Sequence, residues 1–155
     1  MISEKTLEEV CGRLGLRLPP PPKPVGAYRP FIVTGGFAFL SGQISKDAEG
    51  HLVTGQVGKD LTLEEGKRAA QLAVLQAVSL IQTEIGMERV EQIVRVVGLV
   101  QSANNFYGQS EVMNAVSELL VEIFGEKGRH ARTSVGVASL PLNAAVEVEL
   151  TLKLK

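Results

Sequence analysis

Near the C-terminus, over residues 144–155, apolar and polar side chains alternate without a break: Val146, Val148, Leu150, Leu152 and Leu154 against Glu147, Glu149, Thr151 and Lys153. Successive side chains of a strand point to opposite faces, so this is a strand with one covered face and one polar face. Such a strand needs neighbours in a sheet and a layer packed on its apolar side. Two helical patterns supply that layer. Thr62 and Glu65 have the spacing of a capping box, and Ala70, Ala73, Val74, Ala77, Ile81 and Ile85 recur at helical spacing as far as Gly86, which suits a helix end. Residues 110–124 repeat the signal with Val112, Val116, Leu119, Leu120 and Ile123, and Gly125 closes it.

The remaining strands are shorter or more apolar. Residues 31–40 carry two apolar runs around Thr34-Gly35-Gly36, a hairpin signal, and residues 51–54 offer a third short strand after the polar Ser41-Gly42-Gln43. The β-branched run over residues 90–100 reads as a central strand buried on both faces. In residues 131–139, Arg132, Ser134, Gly136 and Ala138 share a polar or small-residue face opposite Thr133, Val135 and Val137. The pattern predicts Arg132 and Glu147 on adjacent polar strand faces. The order is that of an α+β fold, a mixed sheet with two helices on one face. Its second face is too apolar to be left to water, which predicts an oligomer.

At the other end, residues 6–14 form a short amphipathic helix on Leu7, Val10 and Leu14, with Thr6 and Glu9 spaced as a second capping box. Pro19 to Pro22 and Pro24 then impose an extended, surface-laid strap. Residues 1–25 are therefore read as an N-terminal helix and strap, and 26–155 as the domain proper, one core being what 155 residues ordinarily build.

Sixteen Lys and Arg against 17 Asp and Glu leave no broad basic field, which disfavours nucleic acid as a partner. A single cysteine, Cys11, and two histidines are too few for a disulfide or a convincing metal centre. With no long apolar run and three glutamates before residue 10, the expectation is a reduced, cytoplasmic protein with no membrane partner.

The stretch His130-Ala131-Arg132-Thr133-Ser134-Val135-Gly136-Val137-Ala138-Ser139-Leu140-Pro141, followed by Val146-Glu147-Val148-Glu149, closely resembles the C-terminal signature of the YjgF/Rid family. These are the reactive enamine/imine deaminases once called endoribonuclease L-PSP. Gly26-Ala27-Tyr28, Ser41-Gly42-Gln43 with Gly50, and Asn114 match in the same order, so the resemblance covers about residues 26–155. It implies a chorismate-mutase-like α+β fold assembled as a homotrimeric barrel, with ligand clefts between subunits.

Carried over residue by residue, the resemblance makes Arg132 the grip on a substrate carboxylate, Glu147 the residue associated with the attacking water, Tyr28 a cleft-lining aromatic, and Asn114 a further substrate-side residue. A guanidinium fork matches a carboxylate in a way lysine does not. Ser134 stands where many members have cysteine, so its carbonyl could orient water while thiol chemistry there is excluded; Ala27 stands where many have proline. The implied reaction is hydrolysis of a 2-imino acid to a 2-keto acid and ammonia, with no cofactor and a small carboxylate metabolite as partner. Two alternatives stand beside it. One is a noncatalytic module holding such a carboxylate at Arg132. The other is an endoribonuclease using the basic cluster Lys127, Arg129, His130 and Arg132.

Overall fold

The computed structural model describes residues 4–155, with side chains described from Leu7 onward, so the Thr6 half of the first capping box lies outside the described residues. The chain runs through helix α1 (Glu4–Arg13), strands β1 (Phe31–Thr34), β2 (Phe37–Leu40) and β3 (Gln43–Ile44), helix α2 (Leu63–Leu80), strand β4 (Val90–Gln101), helix α3 (Gln109–Phe124), and strands β5 (Ala131–Val137) and β6 (Val146–Leu154). One six-stranded mixed sheet has the order β1-β2-β6-β4-β5, with β3 pairing β6 beyond β2. Only β4 and β5 run parallel, and α3 is the crossover that such a pair requires.

Local chemistry explains the elements. Gly35 and Gly36 both take positive φ, 58° and 78°, the two-glycine turn that matches the twist of a hairpin. Thr62 caps α2 as expected: its hydroxyl accepts from the Glu65 N–H at 3.1 Å, and Glu65 returns the bond to the Thr62 N–H at 2.7 Å. The helix then widens into a single π turn over Ile81–Ile85 before Gly86 ends it at φ 102°. On β6 the five apolar side chains are all buried under α2 and α3.

Two expectations change. The helix layer has three helices, because the stripe of Leu7, Val10 and Cys11 is buried in the same core as α2 and α3. Arg68 of α2 secures the end of α1 by donating to the Leu14 and Gly15 carbonyls at 2.7 and 2.6 Å. The third short strand is Gln43–Ile44 rather than residues 51–54, which make only single bridges, Lys46 with Leu52 and Thr54 with Ala144. The intervening reversal takes the pairing away: Asp47 Oδ1 accepts from the Glu49 and His51 N–H groups, and Gly50 turns at φ 92°.

The face opposite the helices carries no helix among the described residues. Ile32, Phe39 and Val135 stand 47%, 48% and 41% exposed on it, beside the half-buried Phe37, Val97 and Leu99. The strand over residues 90–100 is thus sealed on its helix side, where Ile93, Val96 and Val100 lie, and only half covered on the other.

Candidate functional site

A cleft of about 560 Å³ opens where the strap, the β2–β3 corner and the loop before β6 meet; Tyr28, Gly42, Lys46, Leu142 and Glu147 are among its lining residues. Glu147 reaches it from the uncovered side of β6, in register with Ile44 on one flank and Leu99 on the other. Its carboxylate lies over Gly42, where a Cβ would collide with Oε1, so the glycine of Ser41-Gly42-Gln43 is what gives the acid its place. Glu147 makes no hydrogen bond or ion pair among the described residues. Burial, and secondarily the like charge of Glu149, hold its carboxyl above the usual glutamate range. Tyr28 is half exposed on the rim, its ring folded back over Gly26, where a Cβ would stand only 3.2 Å from it.

The cleft's far lip is a strained turn that the sequence analysis missed. Leu142 and Asn143 both adopt positive φ, 58° and 59°, and Leu142 stands 72% exposed. Leucine at such a φ is costly and persists only where neighbours enforce it. Gln101, 2% exposed at the end of β4, supplies the enforcement: its amide nitrogen donates to Asn143 Oδ1 at 2.7 Å and to the Gly55 carbonyl at 3.0 Å, and its Oε1 accepts from the Leu140 N–H at 2.7 Å. A polar residue closing the apolar run over residues 96–100 was the available signal.

Arg132 lies elsewhere. The parallel register sets it beside Val96, and Ser134 beside Gly98, so both project to the helix side of edge strand β5, whereas Glu147 sits beside Leu99 on the opposite face. The expected adjacency of these two faces therefore does not hold within one chain, because the β4–β5 pairing sets the faces. Arg132 Nη1 donates to Asn114 Oδ1 at 2.9 Å and Ser117 Oγ at 3.1 Å, and Nη2 reaches the Ser110 carbonyl at 3.5 Å. Ser117 in turn meets His130 Nε2 at 2.9 Å while His130 Nδ1 meets the Gly128 carbonyl at 2.6 Å. Burial first, then the Arg132 charge, push this histidine below its usual range, toward the neutral form. Ser134 Oγ is buried without a hydrogen-bond partner. The structure thus groups Tyr28 with Glu147, and Asn114 with Arg132, on opposite sides of the sheet.

Among the described residues, no group of three or more His, Cys, Asp and Glu side chains is placed to hold a metal, and no helix is long and apolar enough to cross a membrane. The family described as "YjgF/chorismate_mutase-like, putative endoribonuclease" matches residues 9–154. Protein TCP17 of Trypanosoma cruzi is 42% identical over 144 residues, 92% of this chain and 90% of its own. A 2-iminobutanoate/2-iminopropanoate deaminase of Dermatophagoides farinae is 29% identical across 83% of this chain and 86% of its own. The crystal structure of Atu1372 from Agrobacterium tumefaciens, a protein of unknown function, superposes with a TM-score of 0.89 at 32% identity, covering 97% of this chain and 94% of that one. With its fold and nearly its whole length matched, the chain belongs to the YjgF/chorismate-mutase-like family.

Proposed function

We propose that the chain hydrolyses reactive 2-imino acids, formed from enamines such as 2-aminoacrylate, to 2-keto acids and ammonium. The observation that carries this reading is Glu147, a half-buried carboxylate with no partner among the described residues, of raised proton affinity, held clear by Gly42 in a cleft beside Tyr28. The balance is R–C(=NH₂⁺)–COO⁻ + H₂O → R–C(=O)–COO⁻ + NH₄⁺. The iminium carbon is already electrophilic, so catalysis needs a positioned substrate and one oriented water. Glu147 takes a proton from that water as its oxygen bonds to the carbon and returns it to the amine nitrogen; it then takes the hydroxyl proton as the carbonyl forms and the C–N bond breaks, and that proton leaves on the departing ammonia as ammonium. Environments that raise a carboxyl's proton affinity suit such two-way transfer. The similarity to the Dermatophagoides deaminase supports the same chemistry.

Arg132 enters from a second copy of the chain. In this reading the uncovered face, with Ile32, Phe39 and Val135, closes against like faces in a homotrimer, and edge strand β5 presents Arg132 to a neighbour's Glu147 cleft as the α-carboxylate grip. The test is ammonium and keto-acid release from freshly generated 2-iminopropanoate and 2-iminobutanoate, with light scattering on the same sample. The reading expects acceleration over buffer and a mass near three times 16.6 kDa. A wild-type protein that binds 2-oxobutanoate without accelerating hydrolysis would instead be a carboxylate-binding module. For RNA cleavage the cleft offers no histidine, and both ring nitrogens of His130 are engaged.

A further inference from the structure

The Glu147 cleft carries two cations that the reaction above does not use. Lys46 and Lys23 both line it, and neither has an acidic partner among the described residues. The acids nearest Lys46 in sequence are committed elsewhere: Asp47 to the Glu49 and His51 N–H groups and the His51 ring, Glu49 to Arg17. Glu147 is the one acidic residue in the lining.

The two lysines are not placed alike. Lys46 is half-buried and its backbone is fixed on three sides: its N–H donates to the Ile44 carbonyl at 2.8 Å, it bridges Leu52, and its carbonyl accepts from Gln76 Nε2 at 2.8 Å, a side chain buried in α2. Lys23 stands exposed on the strap between two anchors. Ser79 Oγ, buried, donates to the Pro19 carbonyl at 2.7 Å, and Ser41 holds the Arg29 and Pro30 carbonyls at 2.6 and 2.9 Å. The proline run between these anchors holds the Lys23 backbone beside the cleft without the entropy cost of a flexible loop.

We propose that this cleft selects imino acids with a second carboxylate at the end of the side chain, with Lys46 as its principal counter-charge and Lys23 as the outer one. The proposal rests on the deaminase reading, in which Arg132 of another copy takes the α-carboxylate and leaves the lysines for the far end. Val25, Leu52 and Leu142 supply an apolar wall for the methylenes between. The covalent step is unchanged: the water oxygen bonds to C2, the C–N bond breaks, and nitrogen leaves as ammonium.

The test compares two substrates of equal chain length, 2-iminoglutarate and 2-iminopentanoate, generated in situ by amino-acid oxidases from glutamate and norvaline. Calorimetry of the products 2-oxoglutarate and 2-oxopentanoate runs alongside. Wild type is expected to favour the diacid in kcat/KM, chiefly through KM. Lys46→Ala should reduce that preference about tenfold, the scale of one charge-assisted hydrogen bond. Lys23→Ala should reduce it about threefold, as an exposed pair would, and Lys46→Arg should keep most of it. Equal use of both acids by wild type, or an unchanged preference in Lys46→Ala, overturns the proposal. Should neither imine be hydrolysed, the deaminase reading falls, and calorimetry then decides this one. Tighter 2-oxoglutarate binding that Lys46→Ala abolishes supports the lysine site, and equal binding of the two keto acids overturns it. Lys23→Ala, on the exposed strap, provides the check that does not depend on folding of the Lys46 turn.

Discussion

Glu147 and Arg132 are both charged residues on interior or edge strands of one sheet, and their surroundings are opposite. Arg132 is met by an amide oxygen, a hydroxyl and a carbonyl, all neutral acceptors that leave its charge uncompensated while fixing its plane. The Glu147 carboxylate has no hydrogen-bond or ion-pair partner among the described residues, and is partly buried besides. A guanidinium oriented by neutral groups keeps its full charge for an incoming anion; a carboxylate starved of donors keeps its appetite for a proton. In the proposed reaction one end of the site serves binding and the other proton transfer. The pleat of the sheet keeps them apart within a chain, so that they do not neutralise each other as an ion pair.

The largest effect should come from the proton-transfer end. Glu147→Gln fills the same space without a base, and kcat for imine hydrolysis should fall about 10²- to 10⁴-fold with KM little changed, measured by keto-acid release. The wild-type rate should also rise with pH through a limb above the usual glutamate range, because the working form is the ionised one and burial delays ionisation. A limb at the ordinary glutamate value would show that burial does not tune this acid.

At the binding end, Arg132→Lys keeps the charge and loses the fork. A fall of about 10- to 100-fold in kcat/KM, mostly in KM, is expected from steady-state kinetics and would separate this end from the first. A loss confined to kcat would collapse the distinction. Gly42→Ala sharpens it from the other side: the new Cβ meets the Glu147 carboxylate, so activity should drop about tenfold while affinity for 2-oxobutanoate, read by calorimetry, holds.

How much of this was legible beforehand follows the range of the forces involved. The alternation of β6, the Thr62–Glu65 box and the Gly35-Gly36 turn are decided by residues a few positions apart, and each appears in the structure where the pattern put it. Gln43–Ile44 hid because two residues carry no period, and their strand exists only through pairing with Val148 and Glu147. The faces of Arg132 and Glu147 were misjudged for the same reason: relative facing passes through the register of β4, which touches both strands and is encoded in neither. Gly42 was visible as part of a motif, but its purpose, leaving room for a carboxylate over a hundred positions away, shows only in three dimensions. Gln101 follows the apolar run over residues 96–100, and its bonds to Asn143 and Leu140 join positions about forty residues apart that meet only in the folded chain.

The smallest expected effect is on stability, and it runs against the largest. Because burial raises the folded-state proton affinity of Glu147 above that of the unfolded chain, folding favours the protonated acid. The stability this confers is fully present below the ordinary glutamate value and is lost as pH rises through the raised one. Above that window wild type carries a carboxylate its surroundings disfavour, whereas Glu147→Gln carries a neutral amide of the same shape. Chemical denaturation at pH 7 to 8 should therefore find the inactive variant equal to wild type or more stable, by under about 1 kcal/mol, since Glu147 is only partly buried and solvent screens it. Repeated near pH 4, the two curves should converge. A variant less stable than wild type at neutral pH would mean that Glu147 has a partner in the assembled protein, and would move it from the proton-transfer end of the comparison to the side where Arg132 stands.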